Sequence, residues 1–279
     1  MKVKIIHFSD THESMPMESR RGYFDKRLFG AMNSRLLRKR IHDQQLLDLA
    51  VRRILEEKPD VIVYTGDATS FGQPSEFAAA RKRLEPILES SIPFLYTPGN
   101  HDSYVRDRIC QEALRNFYCD LHRGKRQLSD HPAFLCEHAG LAFLSVHCAR
   151  PTLPFSSCGH MPGAAVRFLE SVVQERRLEK DRRRTAPLLL CGHFPILEQR
   201  PFRRMRHRLY GAAKAAAMLR AGEIDLSLCG HVHAPYEVLD SSGRGEICAG
   251  SLTRYATFAL IEYDSEQNSF SLSRISLKK

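Results

Sequence analysis

Five short apolar runs in this chain each end in a loop carrying Asp, Asn or His, and that recurrence restricts the fold more than any other feature. Val3–Phe8 leads into Asp10-Thr-His12, and Val61–Thr65 into Gly66-Asp67. Ile92–Tyr96 leads into Gly99-Asn100-His101-Asp102, Leu188–Cys191 into Gly192-His193, and Ile224–Cys229 into Gly230-His231-Val-His233. Short β-rich runs that alternate with helix-patterned stretches predict the strands of a parallel or mixed sheet. Their loops then collect at the carboxyl edge, where open α/β sheets bind ligands. The glycines ahead of Asp67, Asn100, His193 and His231 are expected to let the chain turn sharply as it leaves each strand.

Carboxylate, amide oxygen and imidazole together suit divalent ions such as Mn, Fe, Zn or Co, and the lack of cysteine among them argues against a structural zinc. Asp10, His12, Asp67, Asn100, His193, His231 and His233 are seven candidate ligands, too many for one tetrahedral centre. Two ions sharing one carboxylate, roughly 3.5–4 Å apart, would use them all.

In this order, D-x-H, GD, GNHD, GH and GHxH resemble the motif set of the calcineurin-like metallophosphoesterase superfamily. The pattern runs from Asp10 to His233, and the full set is specific where any one piece is weak. The resemblance implies an α/β fold, a four-layer αββα sandwich of two mixed β-sheets flanked by helices. Residues 1–279 would form one such domain, with a basic amphipathic insertion at about 13–42. The resemblance also implies that Asp10, His12, Asp67 and His233 hold one metal. Asp67 would bridge to a second metal held with Asn100, His193 and His231. His101 would sit by the scissile phosphate, stabilising charge or protonating the leaving oxygen.

One position departs from the pattern. Many members carry Asp or Asn three residues after the bridging Asp, where this chain has Ser70. A hydroxyl can hydrogen-bond the His101 imidazole but brings no charge to raise its pKa. Asp102 is expected chiefly to hold the loop.

A formal charge of +10 draws the chain to anions, and the charge is concentrated. One cluster spans Arg20 to Arg40, a second Arg176 to Arg184, and a third Arg200 to Arg208. Within the first, Phe24, Leu28, Met32 and Leu36 recur at helical spacing beside a basic face. Such a helix either packs on the body or lies on an anionic membrane surface. The third cluster leaves the His193 motif directly, so Arg200, Arg203 and Arg204 are candidates to grip substrate phosphate by bidentate hydrogen bonds. Eight scattered cysteines without a C-x-x-C pair fit a reducing cytosol, and the N-terminal apolar run is broken by His7 and Asp10, unlike a signal peptide. The expected location is cytoplasmic, with peripheral contact at the inner face of the membrane.

Along the chain, helices are expected over about 44–57, from Pro74 to an end or kink at Pro86, over 103–120, from Gly163 to Leu178, and over 212–220. Phe134–His138 and Leu141–Val146 flank Ala139-Gly140 as a hairpin. Ala149–Pro162 reads as a loop at the site's mouth, with His147 and His160 as non-ligands. Four strands after His233 are expected to complete the second sheet.

The function implied is a metal-dependent phosphoesterase that cuts a phosphodiester or pyrophosphate bond by attack of a metal-bridging hydroxide. The substrate would be a phosphorylated small molecule, nucleotide- or lipid-linked. The helix opening Gly72-Gln-Pro-Ser-Glu-Phe77 resembles bacterial cyclic-nucleotide phosphodiesterase-like members. The basic insertion resembles instead UDP-2,3-diacylglucosamine pyrophosphohydrolases, which work at a membrane surface. A nuclease is the alternative favoured by the positive charge, although nucleic acid ranks below the small substrates. A silent metal-binding scaffold is the third reading, and the intact ligand set and GNHD histidine weigh against it.

Overall fold

Successive residues of the apolar runs go to different layers, which is why the runs are continuous. In β1 (Lys2–Phe8), Val3 and Ile5 join one core while Ile6 and Phe8 join another. The same division holds in β2 (Val61–Tyr64), where Val61 and Val63 part from Ile62 and Tyr64, and in β7 (Leu188–Cys191), where Leu189 and Cys191 part from Leu188 and Leu190. A strand covered on both faces has no polar side to present to water. The structure, a computed structural model, describes residues 2–19, 22, 25–27, 42–128, 132–153, 156–180, 186–197 and 208–278.

Two large mixed sheets result. The first has β1 at its centre: β2 and then β3 (Phe94–Tyr96) lie parallel on one side; on the other, β12 (Thr257–Asp264) is antiparallel to β1 and β13 (Ser269–Ser276) antiparallel to β12. The second runs in the order β4 (Ala133–His138), β5 (Leu141–Val146), β7, β9 (Leu226–Cys229), β11 (Gly245–Cys248) and β10 (Tyr236–Leu239). Ile5, Val63 and Leu95 meet Phe143, Leu189 and Leu228 between the sheets. Burying each such side chain contributes about 1.5–3 kcal/mol. On the outer face of the first sheet pack α1 (Gln45–Glu56), α2 (Pro74–Glu89) and α3 (Arg108–Leu121); on the second, α4 (Gly163–Lys180) and α5 (Ala213–Arg220). This is the four-layer arrangement expected.

The 139–140 turn closes the β4–β5 hairpin with both residues at positive φ, 51° and 77°, the twist-matched geometry for two-residue loops. Three expectations are corrected. α2 runs through Pro86 to Glu89, because a proline in the last turn forfeits one hydrogen bond while Ile87 beyond it is fully buried. α3 begins only at Arg108, where the Asp107 carboxylate accepts hydrogen bonds from the amides of Ile109 and Cys110. The last four strands also divide between the sheets. After β11, the short α6 (Leu252–Tyr255) carries the chain over to the open edge of β1, where Ile261 pairs with Ile5, so β12 and β13 belong to the first sheet. A small parallel pair, β6 (Gly159–His160) and β8 (Leu209–Tyr210), was not anticipated. The amphipathic stripe Phe24–Leu36 lies outside the described residues.

Two buried histidines, His7 and His122, and the part-buried His147 lie outside the motif positions and give the fold a pH dependence. Burial pushes His147 down to about 4; burial, with help from Arg126 and against the Tyr118 carbonyl, takes His122 to about 4; burial and Arg274 take His7 to about 3. In His122, Nδ1–H donates to the Tyr118 carbonyl at 2.9 Å and Nε2 accepts the Tyr96 amide at 3.4 Å. A second ring proton would set N–H against N–H. Each ring binds its proton more weakly folded than unfolded, so its contribution is complete above pH 6.5 and is lost as pH falls toward 4, on the order of 3 kcal/mol apiece. The urea midpoint is expected to drop between pH 6.5 and 4, and to drop less in His122→Gln, whose amide keeps both hydrogen bonds. An unchanged slope in that variant would count against the assignment.

Candidate metal centre

The five loops meet where the carboxyl ends of β1, β2 and β3 in one sheet approach those of β7 and β9 in the other. Backbone bonds tie them together: the amides of Asp10 and His12 donate to the carbonyls of Gly66 and Asp67, and the Gly230 amide to the His193 carbonyl. Five of the candidate ligands adopt left-handed backbone: Asp10, His12, Asp67, His231 and His233 have φ of 55°, 51°, 54°, 69° and 58°. Non-glycine residues hold that conformation only where their surroundings over-determine it, and such positions cluster at functional sites. The glycines are needed mostly for a different reason than a turn. Only Gly66 has positive φ (87°); a Cβ on Gly99 would overlap Asp67, and one on Gly230 would overlap Ser9 and the Asp10 carboxylate. At Gly192 nothing lies nearer than 3.7 Å to that position.

The ligand atoms form two groups that share Asp67. Asp10, His12, Asp67 and His233 make one; Asp67, His193 and His231 make the other, with the ligand atoms of each group within 4.8 Å of one another. Asn100 Oδ1 joins the second at 3.2 Å from His193 Nε2. All seven predicted ligands are therefore brought together.

Whether cations fit can be judged from the polar atoms. Asp10 Oδ1 and Asp67 Oδ2 are buried and accept no hydrogen bond, a costly state for carboxylate oxygens. Asp10 Oδ1 faces His12 Nε2 and His233 Nε2, each at 3.6 Å, and Asp67 Oδ2 faces His193 Nε2 at 3.4 Å and His12 Nε2 at 3.8 Å. His12 Nδ1–H donates to the Thr69 carbonyl and His193 Nδ1–H to the Thr65 carbonyl, which leaves each Nε2 lone pair for the centre. Yet His12 Nε2 lies 3.1 Å from His233 Nε2, and His193 Nε2 3.2 Å from His231 Nδ1. Donors about 2.1 Å from a common ion stand roughly 3.0–3.5 Å apart, so these spacings suit ligands around two ions. The residues fit a dinuclear divalent site.

Electrostatics agree. Burial works to raise the Asp10 carboxyl, but His12, His193 and His233 outweigh it and hold the group below the usual carboxylate range. Asp67 is likewise held well below that range against burial, mainly by His193 and His101. Burial lowers His193, but Asp67 prevails and lifts it to about 9.

His101 stands beside the ligands, its ring perpendicular to that of His12 at 4.9 Å and stacked on Tyr104 at 5.2 Å. Its backbone amide donates to Asp67 Oδ1 at 2.7 Å. The Ser70 hydroxyl does not reach the imidazole: it donates to the His12 carbonyl at 3.1 Å, while the Ser70 carbonyl accepts from His101 Nδ1 at 2.7 Å. A backbone carbonyl thus orients the ring. Asp102 holds the loop as expected, accepting from the amides of Asp67, Gly99 and Thr69 and the hydroxyls of Tyr96 and Thr69.

Arg200, Arg203 and Arg204 lie outside the described residues. Neither His147 nor His160 enters a ligand group. Two residues near the centre had no motif to announce them. His42 groups with His12 and His233, its Nδ1 bonded to Thr253 Oγ1 at 2.8 Å, and Lys26 sits over the Tyr104 ring.

The arrangement is that of a family. The chain belongs to the calcineurin-like phosphoesterases, whose family profile matches residues 3–235. It resembles the DNA double-strand break repair protein Mre11 of Saccharolobus solfataricus at 33% identity over 108 residues, 37% of this chain and 24% of that one. It resembles the glycerophosphodiester phosphodiesterase GpdQ of Enterobacter lignolyticus at 39% identity over 56 residues, 20% of this chain and 18% of that one. The matched part thus spans a quarter or less of these curated relatives. In structure it superposes on a dimetal phosphatase from Danio rerio with a TM-score of 0.63 and 14% identity, covering 99% of each chain, which bears on the fold alone. No helix among the described residues is long and apolar enough to cross a membrane, and none of the eight cysteines forms a disulfide.

Proposed function

We propose that the protein is a metal-dependent phosphoesterase that hydrolyses a phosphodiester or pyrophosphate bond in a nucleotide- or lipid-linked substrate. The observation that carries this reading is the pair of ligand groups sharing Asp67, with orphaned carboxylate oxygens aimed into each. Asp10, His12, Asp67 and His233 would hold one divalent ion, and Asp67, Asn100, His193 and His231 the other. Such ions neutralise phosphate oxygens and lower the pKa of bound water toward neutrality. The chain's own part is orientation and proton transfer. His101 Nδ1–H is committed to the Ser70 carbonyl, so Nε2 is the atom that can hand a proton to a leaving oxygen. Tyr104 stacked on the ring limits its rotation.

With Mn, Zn or Co supplied in turn, the protein is expected to hydrolyse bis-p-nitrophenyl phosphate. His101→Asn should bind metal normally and lose about 10²–10⁴-fold in kcat on alkyl diesters with poor leaving groups. The loss should be smaller with p-nitrophenolate, which needs no proton. Equal losses on both would remove His101 from the acid role, and metal binding without hydrolysis of any diester or pyrophosphate would favour a scaffold. The similarity to Mre11 supports a nuclease as the second reading. Cleavage of DNA at rates above those on small diesters would select it.

A further inference from the structure

Lys26 comes from the segment between β1 and α1, outside every motif, yet it is fixed over Tyr104, the ring that stacks on His101. Its neighbour Arg27 is only 2% exposed and ties the segment to the start of α3, pairing with Asp25 at 2.7 Å and Asp107 at 3.6 Å and donating to Cys110 Sγ at 3.4 Å. Asp107 is the residue that caps α3. So anchored, the segment turns Lys26 toward the loop that follows β5, where Nζ donates to Thr152 Oγ1 at 2.8 Å and the Ser156 carbonyl at 3.2 Å.

The same ammonium lies 4.4 Å from the centre of the Tyr104 ring, and Tyr104 stacks on His101. The contacts therefore run from His101 through Tyr104 to Lys26. Burial lowers the Lys26 ammonium to about 8, and the charge of Asp67 acts against that shift, so the group shares the electrostatic field of the centre. Among the described residues no carboxylate lies within 4.0 Å of it. A part-buried cation held by neutral oxygens and an aromatic face is matched to an anion that arrives from outside.

We propose that Lys26 receives an anionic phosphate on the leaving-group side of the substrate, so that the bond cut is a pyrophosphate link and not a simple alkyl diester. The inference rests on the phosphoesterase reading above and on His101 marking the leaving-group side of the centre. In the reaction, a P–O bond forms to the oxygen of water and the P–O bond to the bridging oxygen breaks. The electron pair of the broken bond stays on the departing phosphate. The two hydrogens of the water end one on each phosphate. The charge that gathers on the departing phosphate falls where Lys26 can offset it.

The test compares kcat/KM on a nucleoside diphosphate sugar and on bis-p-nitrophenyl phosphate, whose leaving group carries no phosphate, in the metal-loaded protein and in Lys26→Met and Lys26→Arg. Losing one charge-assisted contact predicts a fall of about 10- to 100-fold on the pyrophosphate in Lys26→Met, less than about threefold on the diester, and near-complete recovery in Lys26→Arg. Bound metal and unfolding midpoint should match the parent in both variants. Equal losses on the two substrates, or no loss on either, would overturn the role of Lys26. Failure of the parent to cleave the pyrophosphate while it cleaves the diester would also overturn it, leaving the phosphoesterase reading standing. Inactivity toward both would overturn both.

Discussion

Asp67→Ala is expected to abolish hydrolysis, with kcat/KM falling at least ~10³-fold, and to remove both metals instead of one. The side chain has two separate jobs. Oδ2 faces His12 on one side and His193 on the other, and is the atom common to the two ligand groups. Oδ1 accepts the His101 amide and so sets the start of the loop carrying Asn100 and His101. Removing the carboxylate leaves His193, His231 and Asn100 without an anionic ligand, and leaves the other group one carboxylate in place of two. It also removes the charge that holds His193 above its ordinary range. Asp67→Asn separates the jobs, since an amide oxygen can still accept the His101 amide. That variant should keep its fold and lose metal affinity, as measured by titration calorimetry. Retention of both metals in Asp67→Ala would contradict the shared-ligand geometry.

Asp102→Ala should cost about 3–5 kcal/mol of stability, the range found when a buried charged group is removed from its partners. Its two oxygens accept three backbone amides and two hydroxyls, from Asp67, Gly99, Thr69 and Tyr96. The backbone donors lie in the loops that leave β2 and β3, outside the strand ladders, and Asp102 is the acceptor each of them uses. Burial, and then the charge of Asp67, raise Asp102 to about 6, with the hydrogen bonds working the other way. Asn offers no rescue here. In either orientation its NH₂ group would face an amide N–H now bonded to a carboxylate oxygen. Guanidinium unfolding of both variants provides the check, and a change below about 1 kcal/mol would place the loop's support elsewhere.

The site was legible because each ligand follows a strand directly, so linear order maps onto position at the sheet edge. Asp10, Asp67, Asn100, His193 and His231 could be placed by finding the strands, whereas the four layers were implied by the family resemblance and not by the runs themselves. Other features have no such mapping. The strands after His233 have the same turn-flanked pattern whichever sheet they join; the open edge of β1 decides it for β12 and β13. The left-handed backbone of five ligands is set by surrounding hydrogen bonds and not by residue type. Ser70 stood in the sequence as a hydroxyl in place of the usual Asp or Asn, whereas its backbone carbonyl supplies the bond to His101. His42 reaches the ligands, and Lys26 the Tyr104 ring beside His101, from a segment with no strand or motif to position it, Lys26 through the burial of Arg27.

The most direct test of the central claim is a titration of the protein with Mn(II), followed by bound metal per chain and by electron paramagnetic resonance. Two ions sharing the Asp67 carboxylate predict two equivalents bound and a spin-coupled spectrum. A single equivalent, or two ions with uncoupled signals, would contradict a centre built around Asp67.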